Sequence, residues 1–139
     1  MFKDNILQGK KILVTGGGTG LGKEMSEHYI QHGADVVICG RRESVLAETA
    51  EEFKEKYDSK VRYQALDIRS AQDVDDFIDT IFQEGPLHGL VNNAAGNFIS
   101  PTKDLSARGF DAIANIVFHG TFYVTKIFFP CKILSLNIF

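Results

Sequence analysis

Between Thr15 and Gly22 the chain reads Thr-Gly-Gly-Gly-Thr-Gly-Leu-Gly. A stretch so free of side chains lets an anion come close to the backbone. Free amides at a helix start and the positive end of the helix dipole would then hold a phosphate. The surroundings sharpen this reading. Lys11–Thr15 is a short, apolar, β-rich run that ends directly in the glycines. From Leu21 a helical period begins, with Leu21, Met25 and Tyr29 four apart, and Gly33 is a helix stop. Val36–Cys39 is an unbroken apolar run of the kind buried on both faces of a parallel sheet. A glycine pattern alone is weak, but strand, loop, helix and second strand over 12–38 make a βαβ seat for a dinucleotide. Gly16, Thr19, Gly20, Leu21 and Gly22 are therefore expected at its pyrophosphate, and Gly22 also permits tight helix–strand packing. The alternative is a merely tight βα turn.

The spacing of Gly16, Gly20 and Gly22 is G-x-x-x-G-x-G, not G-x-G-x-x-G. With the lead-in Leu7-Gln8-Gly9-Lys10-Lys11-Ile12-Leu13-Val14, the segment resembles the short-chain dehydrogenase/reductase family. That resemblance implies a nicotinamide cofactor. An acid at the end of the second strand would favour NAD, because it accepts from both ribose hydroxyls and repels a 2′-phosphate. Here the strand ends Ile38-Cys39-Gly40-Arg41-Arg42, with Gly40 in the acid's place. Arg41 can stack on adenine or fork onto the phosphate, with Arg42 in support, so the expected cofactor is NADP(H). The plainer reading of the pair is two solvated loop arginines. Asp67 and Ile68 match the family's adenine-edge position, where a carboxylate and the following N–H bracket the ring.

Val91-Asn92-Asn93-Ala94-Ala95-Gly96 closes a fourth strand. Asn side chains bond backbone where a ladder ends. The small residues Ala94 and Ala95 let the chain run beneath the nicotinamide, and Asn93 joins them as an expected cofactor contact. With the following Asn97-Phe98-Ile99-Ser100-Pro101-Thr102, this extended form of the family's Asn-Asn-Ala-Gly element resembles the 2,4-dienoyl-CoA reductases in particular, a likeness covering roughly 7–126. It implies NADPH-dependent reduction of 2,4-dienoyl-CoA thioesters during breakdown of unsaturated fatty acids. Hydride reaches the far end of the conjugated system, polar groups hold the thioester oxygen as it gains charge, and reprotonation at the α carbon gives a 3-enoyl-CoA. Phe98 and Ile99 would line an acyl slot, or simply pack the loop onto the core. The resemblance also implies a homo-oligomer in the full-length relative.

The family's chemistry needs a Tyr four residues before a Lys. Tyr29, Tyr57, Tyr63 and Tyr123 are followed at that distance by Gly33, Val61, Asp67 and Ile127. Tyr123 and Lys126 are three apart, in a helix where the family has no catalytic tyrosine. No catalytic residue is therefore assigned. Val117 occupies a place where many relatives carry Asn, and His119 one where dienoyl-CoA reductases can carry an Asn that contacts the thioester. His119 could donate to the developing oxyanion, or face solvent or a partner. After Lys126 the resemblance stops, and the apolar segment 127–139 reads as a truncated or frame-shifted terminus. The alternatives are a nucleotide-binding fragment without activity, and a short-chain alcohol or ketone dehydrogenase.

The elements that must place these residues alternate along the chain. A helix capped by Ser44 is expected to about Tyr57, with Leu46, Ala50 and Phe53 inward. Val61–Leu66 follows as a third strand. A helix headed by Ser70 and Asp73, a capping-box pattern, turns Val74, Phe77, Ile78 and Ile81 inward. Gly85-Pro86 breaks the chain before strand four at Leu90-Val91, and Ser106 caps a long helix to about Phe129, jogged near Gly120. The expected class is α/β, the N-terminal part of a doubly wound Rossmann sheet in the order 3-2-1-4, with residues 1–126 as the cofactor region and 127–139 as an atypical apolar tail. Seven of the eleven Phe fall between Phe98 and Phe139, so apolar surface and an open edge at strand four are expected. A net charge of −3 without a basic stripe argues against nucleic acid. No membrane-spanning run or signal peptide is read, and no metal-ligand spacing. Cys39 and Cys131 form no redox pattern, and a reducing cytoplasm is the expected compartment.

Overall fold

The computed structural model describes residues 5–96 and 99–128. β1 (Lys11–Thr15), β2 (Asp35–Gly40), β3 (Arg62–Ala65) and β4 (Gly89–Val91) form one sheet in the order β3-β2-β1-β4, and every pair is parallel. This is the expected α/β class and strand order. Parallel neighbours require crossovers, supplied by α1 (Gly20–Gln31), α2 (Glu43–Tyr57) and α3 (Ala71–Gln83). In the register, Thr15 lies beside Cys39, Val14 beside Val91 and Gly40 beside Ala65. The carboxyl ends of all four strands thus meet at one edge.

Successive strand residues point to opposite faces, which gives the domain two cores. Leu13, Val37 and Cys39 face α3, where Val74, Phe77, Ile78 and Ile81 are buried together with Val124. Ile12, Val14, Val36 and Ile38 face the other way, onto Ile30, Leu46 and Phe53. Unbroken apolar runs in β1 and β2 are what burial on both faces demands.

The structure refines the reading of α1 and corrects those of α2 and β3. The inner face of α1 is Gly22, Ser26 and Ile30, one residue on from the large apolar series, and Leu21 is 69% exposed. The helix docks through its smallest residues because the glycine loop lies directly against it. The N-cap of α2 is Arg42, not Ser44, which lies in the first turn. β3 is shorter than Val61–Leu66, as an edge strand with exposed Tyr63 and Gln64. The caps at Ser70 and Ser106 form, each hydroxyl accepting from the amide three residues on.

The last helix is continuous in space but changes pitch. α4 (Ala107–Ala114) runs into a π-helical segment, Asn115–Gly120, and then α5 (Thr121–Phe128). The jog expected near Gly120 is this segment. A Cβ at Gly120 would press on Ile68 at 2.6 Å, so the helix approaches the β3 end as closely as backbone allows. Phe110, Phe118 and Phe122 on this helix are 56%, 68% and 60% exposed, in line with the apolar surface expected there. Among the described residues β4 pairs with β1 alone, leaving its outer edge without a strand. No helix among them is long and apolar enough to cross a membrane. Phe98, Cys131 and most of the segment 127–139 lie outside the described residues.

Candidate functional site

A cleft of about 330 Å³ opens over the carboxyl ends of the strands. Each strand end contributes to it: Gly16, Gly18 and Thr19 after β1, Arg41 and Arg42 after β2, Asp67 and Ile68 after β3, and Asn93, Ala94 and Ala95 after β4. Nine of the twelve cofactor residues expected from the sequence are among its lining. The other three, Gly20, Leu21 and Gly22, stand behind it in the first turn of α1. The cleft sits where the chain order reverses, between β1 and β4, the switch point at which open α/β sheets bind ligands.

The glycine loop is shaped for close approach. Gly16 has φ +68°, a left-handed conformation that disfavours side chains. A Cβ at Gly22 would collide with the Gly16 carbonyl oxygen. Gly16 N donates to the Cys39 carbonyl at 2.7 Å, tying the loop to β2. Burial pushes the Cys39 thiol up to about 12, so it is a packing group rather than a nucleophile. At the head of α1, Thr19 is extended and makes no side-chain cap, and the first turn holds no acid. The leading amides are therefore left without a side-chain acceptor, as a phosphate seat requires. A dinucleotide pyrophosphate fits this donor set.

Thr15 and Asn93 join the two strands that flank the switch point. The Thr15 hydroxyl, 1% exposed, accepts from the amides of Asn93 at 3.1 Å and Ala94 at 3.0 Å. Asn93 Nδ2 returns a bond to the Thr15 carbonyl at 3.0 Å. Asn93 thus orders the backbone of the site, and Thr15 is a positioning residue carried by the Thr-Gly opening of the loop.

Arg41 and Arg42 stand exposed on the rim where β2 passes into α2, and Gly40 lines the cleft beside them. Asp67 lies opposite, half-buried and engaged with a residue not anticipated, Arg69. Arg69 donates from N and Nε to Oδ1 at 3.1 and 2.9 Å, and from Nε and Nη2 to Oδ2 at 3.0 and 2.5 Å. The Arg69 guanidinium holds the Asp67 carboxyl below its ordinary range. Only the short Asp-x-Arg spacing could have signalled this pair.

Ile116 is the π-helical segment's contribution to the cleft, and its side chain fills the space beside Gly96. His119 is not among the lining residues. It is exposed, with its ring edge-on to Tyr123 at 6.1 Å. Lys126 points elsewhere, toward Asp75 at 3.8 Å. Ile99 is fully exposed. His28 and His88 lie at the surface, whereas His32 is half-buried.

Residues 10–134 match the family described as short chain dehydrogenase. The chain belongs to that family. Within it, the chain is 37% identical over 122 residues to a peroxisomal 2,4-dienoyl-CoA reductase of Arabidopsis thaliana. The match covers 87% of this chain and 41% of that protein, so this short chain dehydrogenase sequence spans less than half of that relative's length. A citronellol catabolism dehydrogenase of Pseudomonas aeruginosa PAO1 superposes with a TM-score of 0.87 at 34% identity, over 94% of this chain and 53% of the other. A short chain dehydrogenase of Shigella flexneri described as complexed with NADP superposes with a TM-score of 0.86 at 25% identity, over 92% and 55%.

Proposed function

We propose that this chain holds NADP(H) in the cleft and supplies the cofactor-binding part of an oxidoreductase acting on 2,4-dienoyl-CoA thioesters in fatty-acid breakdown. The observation that carries the cofactor choice is the β2 end. No acid stands at Gly40, and two guanidinium groups follow on the cleft rim. When bound, the cofactor supplies the hydride. The leading amides of α1 hold the pyrophosphate, Arg41 forks onto the 2′-phosphate with Arg42 beside it, and Asp67 with Ile68 borders the adenine. Asn93, Ala94 and Ala95 form the small-residue floor beneath the nicotinamide. The dienoyl-CoA substrate is supported by the name of the plant relative. For His119, three residues on from cleft-lining Ile116, the two proposed roles are contact with the thioester oxygen and, favoured by its exposure outside the lining, a position facing solvent or a partner.

A second reading concerns the chain as it stands. No Tyr precedes a Lys by four residues anywhere in the sequence, so we propose that the chain binds cofactor without turnover. A third, an alcohol or ketone substrate, is favoured by the likeness to the citronellol catabolism dehydrogenase. We also propose residues 1–126 as the cofactor region and 127–139 as an atypical apolar tail, with homo-oligomerisation in the full-length relative; Phe110, Phe118 and Phe122 form an exposed apolar face on the last helix. The cytoplasm is our proposed compartment, on the cysteine usage; the plant relative is, by its name, peroxisomal.

The purified chain titrated with NADPH by cofactor fluorescence, then assayed with a 2,4-dienoyl-CoA, tests these readings together. Binding without turnover is the expected result. Turnover above background would overturn the incompleteness of this chain, and absence of binding would overturn the site. Turnover of a medium-chain alcohol or ketone, with none of the dienoyl-CoA, would replace the substrate.

A further inference from the structure

Three guanidinium groups, Arg41, Arg42 and Arg69, and one carboxylate, Asp67, share the rim of the cleft. Their pairing is uneven. Arg69 reaches Asp67 through its own amide, Nε and Nη2, with two hydrogen bonds to each carboxylate oxygen. A carboxylate offers about four acceptor positions, and Arg69 fills them. Among the described residues the guanidinium groups of Arg41 and Arg42 form no hydrogen bond or ion pair.

Arg41 has other acids within view. It also borders an open hollow lined by Asp67, Asp73 and Asp76. Asp76 accepts from Gln72 Nε2 at 2.8 Å, and Asp73 belongs to the first turn of α3. Asp67 is the acid that shares both hollows with Arg41, and Arg41 adds to the charges that favour its ionised form. A bare Asp67 would present a planar carboxylate to a planar guanidinium, the geometry of a bidentate pair. The same bare charge would repel a phosphate dianion bound next to it.

We propose that Arg69 determines cofactor specificity: by saturating Asp67 it keeps that carboxylate from capturing Arg41, and so leaves Arg41 free for the 2′-phosphate of NADP(H). This rests on the NADP(H) reading above and adds a positioning residue to it. Arg69 lies two residues from Asp67, so backbone and side chain chelate the acid together at little entropic cost. Arg41 gains no such local advantage.

Fluorescence titration of the full chain with NADPH and with NADH, each at fixed ionic strength, gives the affinity ratio that decides this. Wild type should prefer NADPH. Arg69→Ala should lower the NADPH:NADH ratio about tenfold, the size of one charge-assisted phosphate contact. Adding Asp67→Asn to Arg69→Ala should return the ratio to within about twofold of wild type, since no acid then competes for Arg41. Whatever Asp67 contributes at the adenine acts on both cofactors alike and cancels in the ratio. An unchanged ratio in Arg69→Ala, or no recovery in the double variant, overturns the proposal. Arg69→Gln carries the same comparison should the alanine variant not fold. Equal wild-type affinities would instead overturn the NADP(H) reading, and this inference with it.

Discussion

Thr49, buried on the inner face of α2, donates its hydroxyl to the carbonyl of Gly18 at 2.9 Å, across thirty-one residues. The bond joins the phosphate loop to the helix whose N-cap is Arg42. Leu46 packs at the same contact, its Cδ2 lying 3.0 Å from where a Cβ on Gly18 would be. The two halves of the candidate site, loop and arginines, are thus held in register by one helix.

Thr49→Val keeps the shape and removes the donor. Leaving the buried Gly18 carbonyl without a partner should cost about 1–3 kcal/mol, seen as a lower Tm. NADPH and NADH should both bind more weakly, because the displaced loop serves the shared pyrophosphate. Thr49→Ser, which keeps the hydroxyl, should restore affinity even where it lowers Tm. Full affinity in the valine variant would remove Thr49 from any positioning role.

Arg41→Ala separates the two cofactors. Only NADPH carries the 2′-phosphate, and a charge-assisted bond to it is worth about 1.5–3 kcal/mol. NADPH should therefore weaken by roughly 10- to 100-fold while NADH changes little. Arg42→Ala, at the helix cap rather than the strand end, should give a smaller change of the same sign. Equal losses for both cofactors in Arg41→Ala would count against the assignment.

Acid should loosen the joint between α1 and α2. Lys23 at 2.5 Å and Lys56 at 2.7 Å hold the Glu52 carboxyl down, from an ordinary 4.5 to about 2. The Tyr57 hydroxyl, donating to Glu27 at 2.6 Å, lowers that carboxyl as well, with Lys56 adding to it. A carboxylate depressed in the fold stabilises it above the unfolded pKa, and the contribution is lost as pH falls through the folded value. For Glu52 the window runs from 4.5 down to about 2. Melting curves across that window should fall more steeply for wild type than for Glu52→Gln. Parallel slopes would show that this exposed network adds nothing.

The parallel α/β class was legible in repetition, since apolar runs buried on both faces alternate with helical periods, whereas the order 3-2-1-4 came with the resemblance, because the same repetition also admits the order 2-1-3-4. Nine of the residues proposed for the cofactor line one cleft for a related reason, since all sit where a strand ends. What escaped was set by size and by distance along the chain. Gly22 was legible as a close-packing position, but Ser26 was not, because large apolar residues mark a helical stripe and small ones do not. Thr49 reads in sequence as one more position on the inner face of α2, and nothing local announces the carbonyl it meets. Ile116 reaches the cleft from Asn115–Gly120, where the helix changes pitch, and nothing in the local sequence marks it as a lining residue.

Gly22→Ala sets two known magnitudes against each other. Alanine is the better helix former by about 0.5–1 kcal/mol, so propensity alone predicts a gain. The added methyl, however, would overlap the Gly16 carbonyl oxygen and lie 2.5 Å from Asn93 Nδ2. Neither neighbour can yield easily. Gly16 is held to Cys39, and Asn93 Nδ2 is bonded to the carbonyls of Thr15 and Gly16. Overpacking of this kind costs about 1–3 kcal/mol, which outweighs the propensity gain. The variant should melt lower than wild type and lose NADPH affinity by at least about tenfold, because α1 can back away only by opening the loop. Gly89→Ala is the matched control. Its new methyl would meet Ile12 at ordinary contact distances of 3.4–3.8 Å, at the end of β4 away from the cleft. That variant should bind NADPH within about twofold of wild type. If Gly22→Ala raised the Tm and kept its affinity, helix propensity would be the stronger term, and the loop would have slack that its hydrogen bonds do not show.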